Sequence, residues 1–348
     1  MRFLSSFSRP TIGLDVGTRL IKAVQLGRKS GRTVVTASAS IGRSTPDESL
    51  NPDEVKRVAR VLSQQGFVGR SIALAVPSNR LMSSVIDMPP RDSGAPYEAI
   101  SAQEFARLLR QEPGGFELAW WDVPRAARAS TAKIMAVGCA HADSGPILDV
   151  FSDAGFDVAV MDSGLCAAVR ACHALLGPPT SVSAVLDMGW GSARLALVHG
   201  GVVVFERILN SSGLAPLQER VCKALGVEPA EADALVQSVG LTQPDDTGVD
   251  QDARVDAVAP LLRPILMTYL DEIADELVAS FEYASHQYPD AETCRLALVG
   301  GGACVPGVVG YLNGRVTPEV VTVQANSSHA EPALIAVAMG LAGYNDQG

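Results

Sequence analysis

The sequence predicts an α/β protein whose two similar halves face each other across a cleft, and a repeated segment carries this prediction. Residues 11–26 (TIGLDVGTRLIKAVQL) read as a buried strand, a tight D-x-G turn and a second strand. Residues 184–198 (AVLDMGWGSARLALV) read the same way. Such a repeat indicates two related half-molecules with opposed hairpin tips. The two copies align as follows: Leu14 with Leu186, Asp15 with Asp187, Gly17 with Gly189, and Lys22 with Arg194.

The tip of the first hairpin combines the groups that a nucleotide phosphate tail needs. Gly17 lets backbone N–H groups approach an anion, Thr18 adds a hydroxyl, and Lys22 adds a point charge. Asp15 adds a carboxylate that can hold hydrated Mg²⁺. A single D-x-G pattern is common in ordinary turns, but here it recurs in the second half. We therefore expect the two tips to clamp one phosphate chain and its metal from both sides.

Length and composition narrow the class of protein. The 348 residues are 47% hydrophobic, which is typical of a folded chain with more than one core. The net charge of −10, with no basic run, argues against nucleic acid or an anionic membrane surface as a direct partner. No apolar run reaches the roughly 20 residues of a membrane span, and the first ten residues lack the apolar core of a secretion signal. We expect a cytoplasmic protein without direct membrane insertion, whose six cysteines are reduced packing residues.

The elements of the first half follow from periodicity and turn residues. Residues 1–10 read as a flexible tail, with a short docking segment as the alternative. In the main body, Asn51 and Pro52 mark the start of a helix. An inserted α+β layer follows, in which the adjacent residues Trp120 and Trp121 point to opposite faces of a strand; we expect both in the core, with one as an exposed partner anchor as the alternative. The predicted strands are 33–41, 71–76, 81–88, 117–123, 133–139 and 156–161, and the predicted helices are 52–65, 98–110 and 145–154.

The second half repeats the hairpin and adds helices. An acid-rich segment, 245–256, lacks the glycine and terminal glutamate of a calcium loop and reads as a solvated loop. The run Gly300, Gly301, Gly302 separates a strand from a helix, so a flat ring or a phosphate could lie against bare backbone there; a tight structural turn is the alternative. The predicted strands are 201–209, 295–299 and 320–323, and the predicted helices are 213–225, 229–239, 266–287, 306–312 and 331–341.

Paired D-x-G hairpins followed by a triple-glycine turn resemble the actin-like ATPase fold of sugar kinases, heat-shock protein 70 chaperones, actin and the division protein FtsA. This is a duplicated ribonuclease H-like α/β fold, with two halves around a nucleotide cleft and, as in FtsA, a small α+β insertion in the first half. Within this group the chain resembles the PilM family of type IV pilus assembly, almost from end to end. The segments that carry the resemblance are 12–26, 72–90, 154–163, 186–209 and 296–312.

The resemblance implies a set of site residues. ATP would be the ligand, with Mg²⁺ held through water by Asp15 and Asp187. Asp162, at the first connection between the halves, becomes the candidate catalytic residue. Trp190 departs from the family pattern, which has a small residue there, and a bulky ring beside the terminal phosphate could weaken binding or merely pack; we expect nucleotide binding with weak or absent ATPase activity. The implied binding residues are Asp15, Gly17, Thr18 and Lys22 in the first phosphate loop, Asp187, Gly189 and Ser192 in the second, and Gly300, Gly301 and Gly302 at the adenosine turn.

The resemblance also implies partners. Proteins similar to PilM are assembly platforms that dock the cytoplasmic N-terminal peptide of a bitopic inner-membrane protein, PilN, in a groove beside the insertion. Here the groove would be lined from the region 72–88 and the insertion strands. Pilus motor ATPases are further candidate partners. The expected location is cytoplasmic and peripheral at the inner membrane, through these partners.

The implied organisation is a tail at 1–10, a first subdomain at 11–80 joined by 325–348, an insertion at 81–161, and a second half at 162–324 with a helical subdomain about 210–265. Alternative functions are a small-molecule kinase of the same fold, the equivalent cytoplasmic module of a type II secretion system, and an FtsA-like filament. The kinase would need a carboxylate base such as Asp162. An FtsA-like filament would be tethered to the membrane, and the residues LAGYNDQG show no amphipathic anchor that would support this alternative.

Overall fold

A computed structural model describes residues 10–46, 49–125, 131–209, 212–241, 253–324 and 331–344. The tail predicted at 1–10 therefore lies almost wholly outside the described residues. The main body contains two five-stranded sheets, one in each half of the chain. In the described part of the chain, no helix is both long and apolar enough to cross a membrane.

The first sheet begins with an antiparallel meander and ends with two strands parallel to β1. Its order is β3-β2-β1-β4-β8. Helix α1 (Pro52–Gln64) packs on it and begins as predicted, because the Asn51 side chain accepts a hydrogen bond from the Glu54 N–H. The strands are β1 Ile12–Val16, β2 Leu20–Lys29, β3 Arg32–Gly42, β4 Ser71–Val76 and β8 Asp157–Ser163.

The second sheet has the same topology, which confirms the duplicated fold predicted from the repeat. Its order is β11-β10-β9-β12-β13, and it too starts with an antiparallel meander and continues with parallel strands. Asp15 pairs across its hairpin with Lys22, and Asp187 pairs with Arg194. The two hairpins therefore share the same strand register as well as the same sequence pattern. The strands are β9 Val182–Met188, β10 Ala193–His199, β11 Val202–Leu209, β12 Thr293–Val299 and β13 Glu319–Thr322.

Helices α4 (Gly164–Cys172) and α9 (Pro332–Ala342) join the two sheets. One buried cluster contains apolar side chains from both helices together with Ala73 of the first sheet and Val185 of the second. Glycine allows the two helices to approach closely, because a Cβ on Gly340 would lie 1.8 Å from the carbonyl oxygen of Ala167. The floor of the cleft is thus a core shared by both halves.

The insertion forms its own antiparallel sheet, in the order β5-β7-β6, with a separate buried core under α2. Both tryptophans are half-buried: Trp120 packs in this core, whereas Trp121 donates a 2.8 Å hydrogen bond to the carbonyl of Val203 in the second half. Helix α3 returns to the first sheet. The elements are β5 Leu81–Met88, β6 Phe116–Val123, β7 Ala132–Ala140, α2 Tyr97–Leu109 and α3 His141–Asp153.

The helix predicted at 266–287 ends as predicted but begins earlier, because α7 spans Ala253–Gln287. The helix continues upstream of Leu266 although it contains Pro260 and Pro264, and the fully buried Leu262 extends its apolar stripe toward its start. The loop predicted at 245–256 is therefore wrong for its last four residues, and the rest of it lies outside the described residues. The other helices of this half are α5 Leu214–Leu225, α6 Pro229–Val239 and α8 Val308–Asn313.

Candidate functional site

A cleft of about 1340 Å³ opens between the two hairpin tips. It is lined by both tips, the triple-glycine turn, the loop at 77–80 and helix α3. The structure brings nine sequence-predicted site residues to its wall, whereas Gly302 and Asp162 do not line it. The nine are Asp15, Gly17, Thr18, Lys22, Asp187, Gly189, Ser192, Gly300 and Gly301.

The charged centre of the cleft is built by Asp15, Lys22 and Asp187. The Lys22 ammonium lies 2.6 Å from the Asp15 carboxylate, and both side chains are less than 15% exposed. Burial alone would lower the pKa of Lys22, but the charges of Asp15 and Asp187 outweigh it, so the pKa is raised and the ammonium stays charged. Burial and the nearby charge of Asp15 raise the pKa of Asp187, against the opposing effect of Lys22. An added cation would relieve this repulsion between the carboxylates.

These residues fit a hydrated magnesium ion that is also held by phosphate. Asp15 and Asp187 supply hard oxygen ligands from opposite walls, and no group of three or more metal-ligating side chains was found among the described residues. Magnesium commonly keeps several waters and binds one or two carboxylates together with substrate phosphates. Asp15 and Asp187 are thus the residues that would hold it.

The glycines of the two tips have a structural task that the sequence reading did not anticipate. The N–H of Gly17 donates to the carbonyl of Leu20 at 3.0 Å, and the N–H of Gly189 donates to the carbonyl of Ser192 at 3.2 Å. Both N–H groups close their own hairpin turns, so other backbone N–H groups of the tips would have to contact a phosphate. Thr18 and Ser192, which carry hydroxyl groups, also line the cleft.

The triple-glycine turn approaches the same centre from below. Gly300 has a φ of 85°, and a Cβ there would lie 2.5 Å from the Asp187 carboxylate, so only glycine fits. Gly301 lines the cleft and opens a short 3-10 helix, Gly301–Cys304. Gly302 is buried, and a Cβ there would lie 2.7 Å from the Met188 side chain; its role is packing.

Asp162 is not brought to the other site residues. One of its carboxylate oxygens lies 2.8 Å from Arg170, and the other accepts the N–H of Ser163 at 2.7 Å. Asp162 lies near the end of β8, its carboxylate pairs with Arg170 of helix α4, and it does not line the cleft. The geometry therefore does not favour Asp162 as a catalytic base.

Several cleft residues were missed by sequence reasoning. Arg19 follows Thr18 in the first tip, but the aligned residue of the second tip is Gly191, so the repeat did not mark it. Asp233 lies on α6, far along the chain, where no local pattern marks it. Cys304 lines the cleft beside the glycine turn, and burial raises the pKa of its thiol to about 11, so it is a poor nucleophile near neutral pH.

Several solved structures share this architecture over nearly the whole chain. A PilM–PilN type IV pilus biogenesis complex matches with a TM-score of 0.72 at 20% identity, covering 96% of this chain and 97% of that chain. The ethanolamine utilization protein EutJ from Carboxydothermus hydrogenoformans matches with a TM-score of 0.56 at 16% identity, over 95% and 88% of the two chains. MreB5 of Spiroplasma citri bound to ADP matches with a TM-score of 0.56 at 12% identity, over 98% and 97%. At these identities the likeness establishes the fold.

The fold and cleft define an actin-like protein. The family profile described as type IV pilus assembly protein PilM matches residues 13–332. The chain belongs to this PilM family of type IV pilus assembly proteins, as the sequence analysis predicted. No curated protein matches the sequence.

Proposed function

We propose that this protein binds ATP with Mg²⁺ in its cleft and acts in type IV pilus assembly as a cytoplasmic docking platform. The observation that carries the nucleotide part is the meeting of Asp15, Lys22 and Asp187 between two equivalent hairpin tips. Bound Mg²⁺ would neutralise phosphate charge, and Lys22 would bind phosphate oxygens while Thr18 and Ser192 donate from the two sides. The fold relative MreB5, whose structure contains ADP, supports a nucleotide as the ligand class.

Hydrolysis is proposed to be weak or absent. The carboxylate considered as a base, Asp162, is paired with Arg170 away from the cleft. The cleft acids Asp15 and Asp187 are the proposed metal-holding groups, and Asp15 is also paired with Lys22. For the kinase alternative, the same geometry means that Asp162 is not positioned as the general base that phosphoryl transfer to a hydroxyl would use.

We further propose that the cleft's outer end receives the N-terminal peptide of a PilN-like bitopic partner, which would hold the protein at the inner membrane. The wall there consists of the 77–80 loop and helix α3, with Ile147 and Val150 as apolar groups. Arg80 and Asp143 form a 2.7 Å ion pair across it. This wall includes part of the predicted 72–88 region, but helix α3 replaces the insertion strands. The PilM–PilN complex among the fold relatives supports the class of partner. An interaction with pilus motor ATPases stays a prediction.

Isothermal titration with ATP, with and without Mg²⁺, tests the nucleotide proposal. We expect Asp15→Ala to lose the magnesium dependence of ATP binding, and Lys22→Ala to weaken binding about 10- to 100-fold, since a hydrogen bond to a charged group contributes about 1.5–3 kcal/mol. Asp162→Asn is the matched control, since that carboxylate lies outside the cleft, and it should bind like the wild type. Equal losses in the Asp15 and Asp162 variants would contradict the assigned site.

Titration with a synthetic peptide from the partner's N-terminus tests the docking proposal. Ile147→Asp places a charge on the apolar wall and should abolish peptide binding while ATP binding persists. Leu148→Asp is the matched control, because Leu148 is on the same helix, is 36% exposed and does not line the cleft. If both variants bind the peptide normally, the groove lies elsewhere.

A further inference from the structure

Arg19 links the two halves directly across the mouth of the cleft. Its guanidinium Nη1 lies 2.7 Å from the Asp233 carboxylate of helix α6. The Cζ atom of the same guanidinium lies 4.0 Å from the ring centroid of Trp190, which belongs to the second hairpin tip. All three residues line the cleft. The bulky residue that departs from the family pattern is therefore a platform for a cation from the opposite half.

Both partners of Arg19 are held in place by contacts of their own. The second carboxylate oxygen of Asp233 accepts a 2.7 Å hydrogen bond from Gln218, which also donates to the carbonyl of Pro229. The carbonyl of Trp190 accepts the N–H of Ala215 at 2.9 Å, so its backbone is fixed to the start of helix α5. Trp190 and Asp233 thus form a preformed binding site for one guanidinium on the second half.

This guanidinium site of Trp190 and Asp233 lies beside the two hairpin tips. Thr18, the residue before Arg19, approaches the second tip so closely that its hydroxyl would lie 3.9 Å from a Cβ on Gly191. Arg19 and Asp233 are 39% and 32% exposed, and an ion pair of this exposure is weak and screened by salt. A phosphate group has more charge than a carboxylate and takes a guanidinium in a bidentate geometry. Such a ligand can compete for Arg19.

We propose that Arg19, Trp190 and Asp233 form a clasp across the cleft, and that the terminal phosphates of a bound nucleotide take the Arg19 guanidinium from Asp233. This inference rests on the proposed nucleotide binding. Trp190 supports the guanidinium in both positions, while Asp233 acts as the competitor that phosphate must displace. A competing internal partner lowers the apparent affinity of the ligand, so removal of the competitor raises it.

The test compares Arg19→Ala and Asp233→Asn by titration with Mg·ATP and with AMP. Loss of the cation should weaken ATP binding at least fivefold, whereas loss of the competitor should strengthen it about two- to fivefold. AMP, which lacks the terminal phosphates, should bind alike to all variants. Opposite directions are the decisive result, because a merely structural contact would weaken binding in both variants. Glu272→Gln is the matched control, since it breaks an arginine pair of the second half that does not line the cleft.

Trp190 fluorescence supplies a second readout, taken as the difference from a Trp190→Phe variant. Mg·ATP should change the Trp190 emission of the wild type, and Arg19→Ala should change it without nucleotide. If the wild type binds ATP but both clasp variants shift its affinity in one direction, the clasp exchange is wrong and the nucleotide site stands. If the wild type binds no ATP, the proposed function fails and the exchange fails with it.

Discussion

At the scale of single residues, the buried pair Arg43–Glu54 supports the first hairpin tip. The two side chains are 4% and 0% exposed, with the Arg43 Nε 3.0 Å from the Glu54 carboxylate. Arg43 also donates to the carbonyl of Gly17 at 3.3 Å, and Glu54 accepts the N–H of Ser44 at 2.7 Å. Removing Glu54 takes its carboxylate away from the buried Arg43 guanidinium and from Arg57, which lies 3.6 Å from it. We expect Glu54→Ala to lower the free energy of unfolding by about 3–5 kcal/mol, measured by urea denaturation.

Glu104→Ala is the control for this prediction. Its partner Arg107 is 78% exposed and Glu104 is 38% exposed, so the pair is largely solvated. A surface pair of this kind contributes about 0–1 kcal/mol. Similar losses in both variants would show that burial does not set the strength of the Glu54 contacts.

Single residues also show where sequence reasoning reaches its limit. Asp15, Lys22 and Asp187 could be predicted because the repeat places the same chemistry at the same register of two hairpins. The contact between Arg19 and Asp233 could not, because one residue is in a strand turn and the other on a helix, with no shared pattern. Such contacts depend on how the halves are packed together, which local sequence does not specify.

At the scale of elements, helix α9 depends on glycine for its place between the sheets. The contact of Gly340 with the Ala167 carbonyl leaves no room for a methyl group, which would lie 1.8 Å from the oxygen. Gly340→Ala must therefore push α9 away from α4, and we expect a loss of at least about 1–3 kcal/mol, typical of overpacked cores. Thermal and urea unfolding would measure it.

Gly310→Ala in helix α8 is the matched control. A Cβ there meets nothing within 4 Å, so the substitution only improves helix propensity. We expect it to be neutral or to stabilise the protein by about 0.5–1 kcal/mol. A loss in the Gly310 variant equal to that in the Gly340 variant would mean that glycine flexibility, rather than close packing, explains both.

Element boundaries followed from the sequence where caps and periodicity agree, as at α1. They failed at α7, where the helix was predicted to begin at Leu266 although it begins at Ala253 and its buried stripe includes Leu262. Tertiary burial outweighed the local signal there. At the triple-glycine turn, the pattern indicated a bare surface, but only the structure shows that Gly300 makes room for Asp187 and that Gly302 packs on Met188.

At the scale of the whole molecule, the duplicated topology could be predicted because a repeated motif implies a repeated unit. What the repeat does not disclose is how the insertion, which interrupts the first half in sequence, contacts the second half in space. Trp121 binds the carbonyl of Val203, and Tyr288 donates to the carbonyl of Pro124. The insertion, which belongs to the first half in sequence, therefore also contacts the second half, so the two halves are connected outside the shared core as well.

The shared core beneath the cleft leads to a prediction for unfolding. Ala73 of the first sheet and Val185 of the second lie in one buried cluster with Leu165 of α4 and Ala336 of α9, so neither half can unfold without exposing apolar surface of the other. We expect a single urea transition, with the same midpoint by far-ultraviolet circular dichroism and by tryptophan fluorescence. Glu54→Ala, in the first half, should move both midpoints together, including that of the Trp190 emission from the second half, taken as the difference from a Trp190→Phe variant. Separate midpoints, or a shift of only one, would mean that the halves are stabilised independently and that α4 and α9 act as a hinge rather than as a common core.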